Sequence, residues 1–152
     1  MPLSSGLKNV NAMRSTFVII ALFFSIVLFA QHRITGKWKT IDDETGKPVS
    51  VVEIYEKNNR VYGKIIELFN PKNKNRACEN CSGDDKNRPL NGLVVIKGLT
   101  KSGTEYNGKI LDPKQGRLYK CTITFENNDR LKVRGYIGIS FIGRTQYWER
   151  IK

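Results

Sequence analysis

The sequence predicts an all-β fold, an eight-stranded antiparallel up-and-down barrel with one long loop, and three observations lead there. Beyond residue 31, segments rich in Val, Ile, Tyr, Phe and Thr alternate with short polar turn clusters. No stretch carries apolar residues at helical spacing between caps. Strands joined mostly by tight turns would leave two raw edges as an open meander, and closure removes them.

The first strand is read at Gly36 to Thr40, followed by a turn from Asp42 to Pro48. The second, about Ser50 to Tyr55, and the third, about Arg60 to Leu68, form a hairpin around Lys57-Asn58-Asn59. The connection from Phe69 to Gly92 is the long loop. A fourth strand covers about Leu93 to Leu99 and turns at Lys101-Ser102-Gly103 into a fifth at Glu105 to Leu111. Asp112-Pro113-Lys114-Gln115-Gly116 leads to a sixth at Arg117 to Phe125, and Asn127-Asn128-Asp129 to a seventh at Arg130 to Tyr136. An eighth runs from about Ser140 to Arg150. Parity marks the core face: Tyr119, Cys121, Ile123 and Phe125 share one side of the sixth strand, and Lys120, Thr122 and Thr124 the other. In the seventh, the apolar alternation Leu131, Val133, Gly135 extends through Ile137, Ile139 and Phe141, with Gly135, Gly138 and Gly143 as points where a small barrel bends.

Ahead of the domain, Phe17 to Ala30 reads FVIIALFFSIVLFA, uncharged throughout and preceded by Arg14. About 20 apolar residues are needed to cross a bilayer, so this shorter run reads as a signal peptide over residues 1–30, cleaved after Ala30, rather than as an anchor. Leu28 is larger than the usual residue at the third position before a cut. A start at Met13 gives a more compact basic region than one at Met1. No cysteine follows the apolar run, which argues against lipid anchoring. The expectation is an exported single domain over residues 31–152, with no membrane span after cleavage, in the periplasm or outside a Gram-negative cell.

Losing Lys8 and Arg14 takes the net charge from +12 to +10. That favours anionic partners, an envelope component among them. The basic residues are scattered, without runs and without interleaved aromatics, so nucleic acid is not expected.

Chemistry-bearing residues crowd only in RACENCSGDDKNRPLNG, Arg76 to Gly92. A redox Cys-x-x-Cys needs a helix N-terminus to lower the thiol pKa, and none is predicted. A zinc site needs four ligands, and the remaining donors are the core residue Cys121, the terminal His32 and the loop acids Glu79, Asp84 and Asp85. No metal or cofactor is therefore expected. A local disulfide between Cys78 and Cys81, with Cys121 left as a buried thiol, accounts for the odd cysteine count. Ser140 lies in no strand-to-helix elbow, and no carboxylate spacing singles out a catalytic pair, so an enzyme is not expected.

Two groups of residues carry resemblances. Gly36-Lys37-Trp38 resembles the G-x-W of lipocalins, in which the Trp closes one end of the barrel under an Arg from the last strand; Arg144 or Arg150 would be that Arg. The ordered set C-x-x-C-x-G at Cys78 to Gly83, D-P-x-x-G-x-x-Y at Asp112 to Tyr119 and R-G-Y-I-G-x-S-x-x-G-R-T-Q-x-W at Arg134 to Trp148 resembles an uncharacterised family of small exported bacterial proteins, domain of unknown function twenty-one forty-seven. The resemblance implies a lipocalin-like fold and export, and no activity.

A barrel of this size is filled by side chains or holds one small ligand. Tyr106, Tyr119, Arg134, Tyr136, Arg144, Gln146 and Trp148 combine aromatic bodies with polar tips and are the candidates for lining a mouth. The leading expectation is binding of a small apolar or amphipathic ligand, with any anionic group near Arg134 or Arg144. The alternative is an envelope interaction protein acting through its basic surface or the 69–92 loop.

Overall fold

The computed structural model describes residues 33–152; the expected signal peptide over residues 1–30, the cleavage expected after Ala30 and His32 lie outside the described residues. Alternating apolar and polar residues form β1 (Gly36–Ile41), β2 (Pro48–Lys57), β3 (Arg60–Leu68), β4 (Val94–Ser102), β5 (Glu105–Asp112), β6 (Arg117–Asn127), β7 (Arg130–Tyr136) and β8 (Gly143–Arg150). Each pairs antiparallel with its sequence neighbours, and β1 pairs with β8 through Trp38 to Arg150 and Thr40 to Trp148. The barrel is thus closed by its own strands.

Turn chemistry sets the strand ends. Asn58 and Asn59 both have positive φ, 52° and 57°, the backbone that lets a two-residue hairpin follow the strand twist. Asp42 and Asp112 each accept bonds from the amides two and three residues on, so both turns are fixed by an aspartate. Most strands run one to three residues past the ends expected from the sequence. β8 begins at Gly143 rather than near Ser140, and β7 stops at Tyr136. The alternation beyond Tyr136 is therefore not core: Ile137, Ile139, Phe141 and Ile142 project from the β7–β8 loop.

The interior is one contiguous apolar cluster, with Trp38, Ile54, Ile96, Leu99, Ile123 and Leu131 essentially without solvent contact. Glycines mark where these side chains fill the lumen. A Cβ on Gly63 would come within 2.9 Å of Val52 Cγ1 and 3.0 Å of Ile96 Cδ1, and one on Gly108 within 2.6 Å of Leu99 Cδ2.

The end where β1 begins is sealed. Trp38 donates its indole N–H to Ile34 O at 2.8 Å, and the Arg150 guanidinium lies 4.1 Å from the Trp38 ring centroid. Arg150 also donates to the carbonyls of Asn128, Thr35 and Arg33. The register decides between the two arginines, because Trp38 sits opposite Arg150.

Candidate functional site

The opposite end is built from the β1–β2, β3–β4, β5–β6 and β7–β8 connections. The longest of them folds on itself: Ala77 and Pro89 form an isolated bridge, Cys78 N donates to Arg88 O at 2.8 Å, and Leu90 N to Arg76 O at 2.9 Å. Cys78 and Cys81 form the disulfide and are buried within the barrel's apolar cluster. The loop docks on the β5–β6 turn, where Asn80 Nδ2 donates to Lys114 O at 3.0 Å. Gly116, at φ +67°, lies so close under the Asn80–Cys81 peptide that no side chain fits between them.

Beside this loop the inner wall becomes polar. Tyr119, Arg144 and Gln146 share the parity of buried Cys121 and Trp148, yet Tyr119 and Gln146 are half-buried and Arg144 is exposed. A relay of polar groups climbs this wall. Trp148 Nε1 donates to Gln146 Oε1 at 3.3 Å, Gln146 Nε2 to Asp43 Oδ1 at 3.4 Å, and Arg144 Nε to Asp43 Oδ2 at 2.5 Å. The bond from Arg144 holds the Asp43 carboxyl below its ordinary value, and the same bond raises the Arg144 guanidinium. Glu44 pairs with Arg144 at 3.0 Å as well. Tyr119 donates its hydroxyl to Gln115 Oε1 at 2.7 Å. Below them Thr40 and Ser50 hydroxyls meet at 2.9 Å inside the barrel.

A second concavity lies outside the barrel. Asn107, Thr122, Thr124 and Lys132, on the outward face of β5–β7, form with Arg134, Tyr136 and Phe141 a groove of about 460 Å³ under the β7–β8 loop. Arg134 ties that loop down, donating to Ser140 O at 2.7 Å, Thr145 Oγ1 at 2.8 Å and Phe141 O at 3.2 Å.

With this geometry in view, comparison with known proteins places the chain. A family model described as "Uncharacterized protein conserved in bacteria (DUF2147)" matches residues 36–150. The chain belongs to this family. A solved structure similar to this DUF2147 member is protein HP1028 of Helicobacter pylori, described as belonging to the lipocalin family, with 22% identity, 79% of this chain and 84% of that chain covered, and a TM-score of 0.69. That likeness shows the fold, a lipocalin-like barrel. No curated protein matches the chain.

The seven residues expected at one mouth of the DUF2147 barrel do not share it. Tyr119, Arg144 and Gln146 do. Trp148 is buried beneath them, and Tyr106 is buried beside Lys101, in β4 next to it, its phenol raised by burial and then by the Glu56 charge. Arg134 and Tyr136 fall on the outer groove, because odd and even positions of β7 face opposite ways and the strand ends before the parity is reset. Asp43, which organises Arg144 and Gln146, escaped sequence reasoning; it sits in a turn 101 residues before Arg144, and only barrel closure joins them. Burial pushes the Cys121 thiol up to about 12. Among the described residues no group of three or more His, Cys, Asp or Glu is placed to hold a metal ion, and no helix is long and apolar enough to cross a membrane.

Proposed function

We propose that the protein is an exported, non-enzymatic lipocalin-like barrel that binds a small apolar or amphipathic ligand at its open end. The observation that supports this is the change in the inner wall along the barrel axis. In the middle, Val52, Ile96 and Leu99 leave no room for a methyl at Gly63 or Gly108. Toward the open end the wall carries half-buried Tyr119 and Gln146, and Gly135 between them contributes no side chain. A Cβ there would find Ile110 Cγ2 at 3.5 Å and Tyr119 Cβ at 3.7 Å, ordinary contacts rather than clashes. An apolar floor under a ring of convergent polar groups is the usual make-up of a small-molecule site.

The charges refine the ligand class. Arg144 is neutralised by Asp43 and Glu44, and Arg134 spends its donors on the β7–β8 loop. A neutral or zwitterionic polar head therefore suits the mouth better than a bare anion. The alternative seat for the same ligand class is the outer groove, whose volume of about 460 Å³ lies within the range of small-ligand sites.

Fluorescence enhancement of phenylnaphthylamine, an uncharged apolar fluorophore, tests the proposal and separates the seats. Gly135→Leu or Gln146→Trp should abolish saturable binding, and Thr122→Trp should leave it unchanged. Loss only with Thr122→Trp moves the seat to the groove. The absence of saturable enhancement by the unaltered protein would overturn the proposal.

A further inference from the structure

The β7–β8 loop carries an exposed apolar tip whose side chains join neither the core nor the polar residues of the mouth. Ile137, Ile139, Phe141 and Ile142 are 55%, 62%, 89% and 71% exposed. Four large side chains in one six-residue loop amount to a patch, not the scattered single residues that any surface carries. Nor is the loop slack. Ile142 N donates to Ile139 O at 3.2 Å, Gly138 takes φ +73°, and Arg134 binds the carbonyls of Ser140 and Phe141, so the backbone is fixed while the side chains point away.

At the base of the loop the outward face is basic in an unusual way. The register sets Lys97 opposite Lys109 and Lys109 opposite Lys120, a row of three lysines across β4, β5 and β6, and Lys120 lies opposite Tyr136, the last residue of β7 before the loop. Like charges directly opposite each other weaken a sheet. Among the described residues only Lys97 in the row has a carboxylate partner, Asp85 at 2.7 Å, while Lys120 Nζ reaches the loop itself, 3.4 Å from Gly138 O. Lys132 and Arg134 add to this face, and Glu105 is the one acid lining the groove beside it.

We infer that this face docks on an anionic lipid bilayer, with Ile139, Phe141 and Ile142 entering the interfacial layer and Lys109, Lys120 and Lys132 meeting headgroup phosphates. Apolar residues flanked by lysines combine the two terms that hold a protein on such a surface, apolar burial and attraction to anionic lipid. A second copy is a poorer occupant. A two-fold dimer through the same patch would press the lysine row against itself. The inference goes beyond ligand binding at the mouth and does not depend on it.

Co-sedimentation of the barrel, residues 33–152, with vesicles tests it, since the eight strands close without the preceding segment. The protein should bind vesicles of equal parts phosphatidylcholine and phosphatidylglycerol and bind phosphatidylcholine alone at least tenfold more weakly. Phe141→Ser with Ile142→Ser should reduce binding at least tenfold. Lys109→Glu with Lys120→Glu should remove the preference for phosphatidylglycerol. All four positions are exposed, and unchanged thermal melting would show that the variants fold. In a Phe141→Trp variant, emission should shift to the blue with the mixed vesicles only. Equal binding by the Phe141→Ser, Ile142→Ser protein would overturn the inference. So would a vesicle-free dimer that the same substitutions dissociate, which would assign the surface to a second copy.

Discussion

Replacing Gly116 with alanine tests how the disulfide loop is held to the barrel. Gly116 has φ +67°, and an added Cβ would overlap the Asn80 carbonyl and stand 2.6 Å from Cys81 N. Both obstacles are backbone, so no rotamer change relieves them. The left-handed φ alone costs alanine about 1 kcal/mol relative to glycine. Moving the loop away forfeits the bond from Asn80 to Lys114, about 1 kcal/mol, and wets part of the buried disulfide, about 1 to 2 kcal/mol more. The total is about 3 to 4 kcal/mol, or a fall in Tm of roughly 12 to 16 °C. Gly103→Ala is the control, because its φ is +60° with nothing within 4 Å of the added carbon, and it should cost only about 1 kcal/mol. Urea unfolding followed by tryptophan emission gives both values. If the two variants differ by less than about 0.5 kcal/mol, the loop is not packed on Gly116 and this account of the open end is wrong.

Three further outcomes follow from the same structure. Arg150→Leu should cost about 2 to 3 kcal/mol and shift Trp38 emission to the red, since it removes a ring contact and three bonds to carbonyls; Arg144→Leu should cost less than about 1 kcal/mol because its ion pairs are exposed. Arg150→Lys should recover less than half of the loss, as an ammonium cannot span three carbonyls and the ring. Gly63→Ala should destabilise by about 1 to 3 kcal/mol through overpacking, and adding Val52→Ala, which removes the nearest obstacle, should return part of it in the same urea assay. Burial raises the Cys121 thiol from 9.0 to about 12. Its contribution is whole below pH 9, and between pH 9 and 12 the unfolded chain releases the proton that the folded chain keeps. Stability should fall there by about 1.4 kcal/mol per pH unit from this group, and Cys121→Ala should remove that part of the slope.

The strands were legible because alternation and turn residues are local properties. Asn58-Asn59, Gly103 and the Asp112 to Gly116 turn mark hairpins by backbone preferences that need no partner, and β7 ends where the sequence reading put its end. Alternation does not say what a face meets. Ile137, Ile139 and Phe141 continue the parity of Leu131 and Val133, yet no strand follows them, and they point to solvent. The choice between Arg144 and Arg150 needed the β1–β8 register, which no local pattern contains. The same holds for the buried setting of Cys78 and Cys81. Their cover comes from Pro113 to Gly116, more than thirty residues later, so the sequence suggested a pinned loop but not that its disulfide joins the core. The lysine row is likewise a property of register, because no two of its members are neighbours in sequence.

The three mouth residues could be listed from the sequence but not separated from the other four. Parity alone puts Tyr119 with Cys121, and Gln146 with Trp148. Telling mouth from core along one face requires knowing which end the closing Trp38 seals.

The central claim, that the open end holds a small molecule, is tested most directly by native mass spectrometry of the barrel after exposure to a bacterial lipid extract. The account predicts a single adduct of defined mass that disappears on denaturation and is missing from the Gln146→Trp protein. An unaltered protein that carries no adduct under the same conditions would contradict it.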